Sequence, residues 1–284
     1  MTEATWVVMV IAGARQYTDA AIADCLGQSI PTKLLLVNQG VDSEYRRHLE
    51  QIVEEDPERI FLWSHQPSLP SLSATWNRAL RFVWEAGGYN ALVVNNDVRL
   101  RRDTVESLDA MMGHTLALFV SAVGVKEEQF DPNAELDKRW YTAPDEEGWG
   151  HPKDPGGPDF SCFLLSKEGH EKYPFDEGFT PAYCEDLDLH RRYMLGGDGD
   201  KIFSINLPYL HYASGTLKEF SAEKRQAWEK QINNGSRTYY QKKWGGPVNQ
   251  ERWTIPFDPS SDQDGVTTPD LQRKIQEAER VLPN

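Results

Sequence analysis

An α/β fold, a mostly parallel mixed sheet flanked by helices, is expected from three features of the sequence. Strand-like and helix-like stretches alternate through the first hundred residues, as repeated β-α units do. Residues 91–94 form an apolar run with paired valines, suited to a strand buried on both faces, and run straight into Asn95, Asn96 and Asp97. The chain has 284 residues, 39 % of them hydrophobic and nine of them tryptophan, enough to build one large α/β domain or a domain with an appendage.

Taken in order, residues 6–11 read as the first strand, and Gly13-Ala14-Arg15 as the turn before a helix over 18–28. Residues 33–37 make the second strand, followed by the polar loop 38–42 and a helix over 43–54. A short third strand at 60–63 precedes a helix over 73–85, whose stripe of Trp76, Leu80, Val83 and Trp84 ends at Gly87-Gly88. The fourth strand then places Asp97 at its carboxyl end, the edge where open α/β sheets bind ligands. There Asp97 is suited to hold a divalent cation against a phosphate; alternatively Asp97 or Asp103 caps the helix expected over 104–112. Residues 116–123 form a further strand. The stretch 126–159, rich in charge and proline, lacks core periodicity and reads as a long functional loop.

Beyond that loop, 160–165 is a strand and 166–172 a short helix. Leu187, Arg191 and Met194 mark a helix that closes at Gly196-Gly197. Glu185 and Asp186 therefore fall at its N-terminus, where the dipole is expected to keep the carboxylates ionised and their pKa low. A last strand covers 201–205, with Tyr209, His211 and Tyr212 beyond it, and 221–233 is another helix. Residues 255–267 have linker composition, and Thr268-Pro269-Asp270 starts a C-terminal helix with Leu271, Ile275, Ala278 and Leu282 on one face, able to pack on its own domain or to dock a partner or a second copy.

Composition narrows the function. Thirty basic against forty-four acidic residues leave a net charge of -14, which repels polyanions and argues against sequence-independent nucleic-acid binding. Cys25, Cys162 and Cys184 are an odd number without metal-type spacing, so a reducing cytoplasmic setting is expected. No apolar run is long enough to span a bilayer, and no internal repeat is evident.

The order of Asn38 to Asp42, Ala74 to Asn77, Asn95-Asn96-Asp97, Phe175-Asp176-Glu177 and Glu185-Asp186-Leu187-Asp188 resembles the family 2 nucleotide-sugar glycosyltransferases of the GT-A fold. The stretch 236–246, with Tyr239-Tyr240 and Lys242-Lys243-Trp244-Gly245-Gly246, is similar to the tail of many members, and the resemblance spans roughly residues 6–246. It implies a GT-A domain over 1–246, with a nucleotide-sugar half (1–123) and an acceptor half (124–246), followed by a linker and helix over 247–284. It further implies transfer of a sugar, with inversion, from a nucleotide-diphosphate donor, most simply a UDP-sugar, to a hydroxyl acceptor. Asp186 would be the base and Glu185 would orient the site. Asp97 and His211 would hold Mn²⁺ or Mg²⁺ on the diphosphate.

Ala12, Gly13, Arg15, Asn38, Asp42, Asn77, Asn95 and Asn96 would line the donor side, and Trp149 and His151 the acceptor side. The family's usual Asp-x-Asp is here Asn95-Asn96-Asp97, so one carboxylate remains, and metal binding is expected either to be weaker or to lean more on other ligands. Each assignment has a plainer counterpart: His211 as a packed ring, Arg15 as a surface charge, Asp188 as a first-turn helix charge, Trp149 as a buried anchor. Nucleotidyl transfer, or a non-catalytic nucleotide-sugar-binding module, are the competing functions. The first would need a longer Gly- and basic-rich loop than residues 12–15 supply.

Overall fold

A single eight-stranded sheet organises the molecule, seen in a computed structural model that describes residues 4–64, 68–133, 158–212 and 215–262, with only the backbone of Thr216. Its strands are β1 (Thr5–Ile11), β2 (Thr32–Asn38), β3 (Ile60–Ser64), β4 (Asn90–Asn95), β5 (Val98–Arg99), β6 (Phe119–Val125), β7 (Cys162–Ser166) and β8 (Ile202–His211). They lie in the order β3-β2-β1-β4-β7-β6-β8-β5. Strands β3, β2, β1 and β4 run parallel, β7 is antiparallel to both β4 and β6, β6 and β8 run parallel, and β5 is antiparallel to β8. The helices are α1 (Arg15–Leu26), α2 (Ser43–Glu55), α3 (Leu72–Glu85), α4 (Thr104–Thr115), α5 (Lys167–Lys172), α6 (Glu185–Leu195), α7 (Gly215–Lys218), α8 (Ala222–Ile232) and α9 (Thr238–Trp244).

Alternation along each strand sends side chains to opposite faces. On one face Val7, Met9, Leu92 and Val94 pack with Ala21 and Ile22 of α1 and Leu108 of α4. On the other, Trp6, Val8, Ala91 and Val93 pack with Leu80 and Val83 of α3 and Leu189 of α6. The central strands are thus buried from both sides, as their apolar runs required.

Three local outcomes differ from the sequence reading. Helix α1 begins at Arg15, three residues early, because Ala14 takes a left-handed φ of 58° that turns the chain out of β1. Strand β8 runs on to His211 instead of ending at 205: the β6·β8 register shifts between Ser121/Ser204 and Val123/Pro208, and that irregularity accommodates Pro208. His211 is therefore the last residue of a strand rather than part of a trailing segment. The chain from 247 to 262 is not a free linker. Glu251 is buried against Tyr240 and Arg191, and the Arg252 and Trp253 amides donate to the Trp244 carbonyl. The C-terminal helix, Trp149 and His151 lie outside the described residues.

Between α8 and α9 the chain makes a π turn, Asn233–Arg237. Ser236 Oγ donates there to the Thr180 and Ala182 carbonyls at 3.0 and 2.7 Å, docking the turn on the segment that leads into α6. Among the described residues no helix is long and apolar enough to cross a membrane.

Candidate active site

Asp97 sits in the tight turn between β4 and β5, which folds back so that β5 pairs with the end of β8. Val98 is registered opposite His211, and the Tyr212 amide donates to the Asp97 carbonyl at 2.9 Å. That register brings the His211 ring to Asp97, with Nε2 3.3 Å from Oδ1, while the Gly215 amide donates to Oδ2 at 2.7 Å. Burial alone would raise the Asp97 pKa, but His211 and the Gly215 N–H together hold it below the usual carboxylate range. The capping alternative for Asp97 is not what the chain adopts: Asp103 precedes α4, with its carboxylate on Arg101 at 3.0 Å.

The other residues expected on the donor side divide into scaffold and surface. Asn96 is buried and donates to the Gly13 carbonyl at 2.6 Å and Thr18 Oγ1 at 2.8 Å, fastening the β1–α1 turn beside Asp97. Asn38, also buried, accepts from the Gly40 and Val41 amides and shapes the loop after β2. Asp42 caps α2 by accepting from the Tyr45 amide at 2.8 Å. Arg15 lies half-exposed over the Tyr45 ring, 3.4 Å from Glu44. Ala12 is exposed, Gly13 and Asn95 are half-buried, and the Asn95 amide donates to the Ser161 carbonyl.

Asn77 is a correction. Its amide nitrogen donates to the Phe175 carbonyl and Glu177, and its oxygen accepts from the Phe175 amide and His170 Nε2. All four of its hydrogen bonds are used, so none is left for a nucleotide. The network continues to Trp84 Nε1, which donates to His170 Nδ1 at 2.9 Å; burial lowers the His170 pKa to about 4 and keeps the ring neutral. Asn77 therefore sets the path of the 173–179 loop that leads towards α6.

Helix α6 opens with two successive left-handed residues, Tyr183 at φ 75° and Cys184 at φ 69°. Two such non-glycine residues in series are costly and concentrate where surrounding structure dictates an unusual path, functional sites included. They deliver Glu185 and Asp186 into the first turn. Glu185 is 5 % exposed and its Oε2 is buried without a hydrogen-bond partner, while Asp186, half-buried, accepts from the Leu187 amide at 2.8 Å. The helix dipole, expected to keep these carboxyls strongly acidic, is outweighed. Burial and then the Asp186 charge push Glu185 up to about 8, and burial raises Asp186 too, with Asp159 and Asp188 adding to it.

Folded Glu185 keeps a proton that the unfolded chain releases near pH 4.5, so folding stability falls as pH rises from there to about 8. Glu185→Gln, which cannot ionise, is expected to match the native chain near pH 4 and to exceed it at pH 8 by on the order of 1–3 kcal/mol. Thermal unfolding at the two pH values checks this.

Asp159 is a site residue that sequence reasoning missed. Tyr209 Oη donates to its Oδ2 at 2.6 Å and the Ser161 amide to its Oδ1 at 2.8 Å. A Cβ on Gly124 of β6 would come within 3.0 Å of the same carboxylate, which explains the glycine there. Tyr209 and His211 share one face of β8, their rings 6.3 Å apart and near parallel. His211 meets Asp97, Tyr209 holds Asp159, and the charge of Asp159 reaches Asp186. The only signal in the sequence was the alternation Tyr209-Leu210-His211, because Asp159 ends a loop without periodicity.

The Asp97 carboxylate and the His211 imidazole make an oxygen and nitrogen donor set that would suit Mn²⁺ better than Mg²⁺ and would leave positions for other oxygen ligands. Among the described residues no group of three or more His, Cys, Asp or Glu side chains could hold a metal by itself. No protein-family model matches the chain, nor does any curated protein.

Solved structures do match. The mannosyltransferase PcManGT from Pyrobaculum calidifontis, in complex with GDP-Man and Mn²⁺, aligns over 100 % of this chain and 77 % of its own, with TM-score 0.58 and 12 % identity. S. aureus TarS aligns over 82 % of this chain with TM-score 0.55 and 12 % identity. GalNAc-T7 with UDP, GalNAc and Mn²⁺ aligns over 76 % with TM-score 0.56 and 12 % identity. The chain spans 43 % of TarS and 46 % of GalNAc-T7, less than half the length of either. With the mixed sheet and its site at the strand ends, these likenesses identify the fold of this chain as the GT-A fold of nucleotide-sugar glycosyltransferases.

Proposed function

We propose that the chain is a metal-dependent, inverting glycosyltransferase that moves a sugar from a nucleotide-diphosphate donor to a hydroxyl acceptor. One observation carries the reading. Tyr209 and His211, on one face of β8 with rings 6.3 Å apart, hold Asp159 and meet Asp97, and the Asp159 charge is among the causes that raise Asp186. A transferase needs those two functions side by side: a place for the leaving diphosphate, and a base for the incoming hydroxyl. The solved neighbours that carry UDP or GDP-Man with Mn²⁺ add support by analogy of fold.

In this reading Asp97 and His211 hold the divalent cation, which when bound stabilises the negative charge growing on the departing diphosphate. The Gly215 amide orients the Asp97 carboxylate, and Asn96 keeps the Gly13 turn next to it. Asp186 takes the proton of the acceptor hydroxyl at Oδ2, because Oδ1 is occupied by the Leu187 amide. Its raised pKa makes it a stronger base than an exposed aspartate. Glu185, protonated below about pH 8, offers a hydrogen-bond donor beside it without a second full negative charge. Attack opposite the leaving group inverts the anomeric centre. Asp159 would accept from a sugar hydroxyl between the two ends.

Thermal unfolding with UDP-, GDP- and TDP-sugars tests the reading. At about a hundred times its dissociation constant, a donor is expected to stabilise the chain by roughly 2.7 kcal/mol with Mn²⁺ and much less with the metal chelated. If no sugar nucleotide shifts the midpoint in either condition, the assignment fails.

A further inference from the structure

Asp188, two residues past the proposed base, is fully buried and engaged on both oxygens. Lys243 Nζ at 2.6 Å and Trp244 Nε1 at 2.9 Å reach one, and Arg192 Nε at 2.8 Å reaches the other. The same Lys243 ammonium lies 2.6 Å from Asp176, in the loop that Asn77 positions. Asp176 also accepts from Tyr239 Oη at 3.0 Å and the Gly178 amide at 2.8 Å. One lysine from α9 therefore ties together two carboxylates from two segments, and it is itself only 4 % exposed.

Cross-linking alone does not require charge. A buried ion cluster carries a desolvation penalty, and apolar residues of similar volume often replace one at no loss of stability. What an apolar residue does not supply is cancellation of the negative charge at Asp188, beside Glu185 and Asp186 in the first turn of α6. Two carboxylates and two cations, Asp176, Asp188, Lys243 and Arg192, balance locally.

We propose that Lys243 is a positioning residue for the reaction: it clamps the first turn of α6 through Asp188 and Asp176, and its charge offsets part of the Asp188 charge that Asp186 faces. The proposal rests on Asp186 being the base. The charged and titratable groups around Asp186 are Glu185 and Asp188 on its own helix, Asp159 ahead of β7, and Tyr183 and Cys184 in the lead-in. Arg237 from the π turn acts on that lead-in. Of the two cations on Asp188, Lys243 is the one from outside α6 and also pairs with Asp176, while Arg192, on α6 itself, reaches the same loop at the Pro174 carbonyl.

Two substitutions with opposite expected signs separate this role from simple loss of packing. Lys243→Met uncovers the Asp188 charge and is expected to raise the Asp186 midpoint by about 1 pH unit; Asp188→Asn removes that charge and lowers it. Both are read by ¹³C NMR titration of aspartate-labelled full chain, with the Asp186 resonance identified by its loss in Asp186→Asn. The acid limb of Mn²⁺-dependent hydrolysis of GDP-mannose or UDP-GlcNAc should move in step, with Lys243→Arg close to wild type. Midpoints that move in the same direction, or not at all, overturn the proposal. If Lys243→Met does not fold, Asp188→Asn decides alone: a downward shift supports the role and an unmoved midpoint overturns it. Wild-type protein that hydrolyses neither donor while the Asp186 midpoint still responds would instead overturn the reading of function.

Discussion

Asp186→Asn is expected to leave donor binding intact and to stop transfer, lowering turnover by roughly a hundredfold to ten-thousandfold. The substitution is isosteric, and the amide oxygen can still accept from the Leu187 N–H that holds the aspartate. What disappears is the ability to take a proton. As the proposed base Asp186 would work only when ionised, so activity in the native protein should rise with pH through its raised midpoint and fall away on the acid side. Calorimetric titration with a sugar nucleotide and an assay of transfer or donor hydrolysis, run on both proteins, check the pair of expectations. Loss of neither property would favour a binding module over an enzyme.

Disabling the proposed metal pair, Asp97 and His211, should have an effect of comparable size, but on binding. Asp97→Asn removes the only carboxylate in the β4–β5 turn and is expected to weaken Mn²⁺-dependent donor binding by roughly a hundredfold or more, given that such a cation contributes several kcal/mol. His211→Ala should lose less affinity and instead narrow the preference for Mn²⁺ over Mg²⁺, because imidazole is the ligand that favours the softer ion. Donor titrations in each metal distinguish the two variants. Equal donor affinity with and without metal, in the native chain, would remove the cation from the picture.

Much of this architecture could be read from residue order. The apolar runs at β1, β2 and β4, each followed by polar loop and amphipathic helix, fix a parallel half-sheet because no other arrangement buries both faces. Asp97 and Asp186 stood out for the same reason, acids placed at the end of a core strand and at the start of a helix. What escaped sequence reasoning involves partners far apart along the chain. Asn77 looked free to touch a ligand until Phe175 and His170, more than ninety residues away, were seen to saturate it. Asp159 becomes significant only once Tyr209 reaches it, and the shift of Glu185 arises from burial that periodicity does not report. The ending of β8 at 205 was overruled by an irregular pairing with β6 that carries the strand on to His211.

The π turn at Asn233–Arg237 has one further consequence. A π turn holds one residue more than an α-turn spanning the same rise, and each residue of a helix rotates its successors by about 100°. The wider loop thus works as a phase shifter. Trp228 and Ile232 look one way from the axis, and the extra residue resets the rotation so that Lys243 and Trp244 point under α6. Trimming a single residue from this stretch would leave an unbroken, more regular rod with that pair swung about a quarter-turn aside, so a change that improves local helix geometry would unhitch the clamp without altering any residue in it.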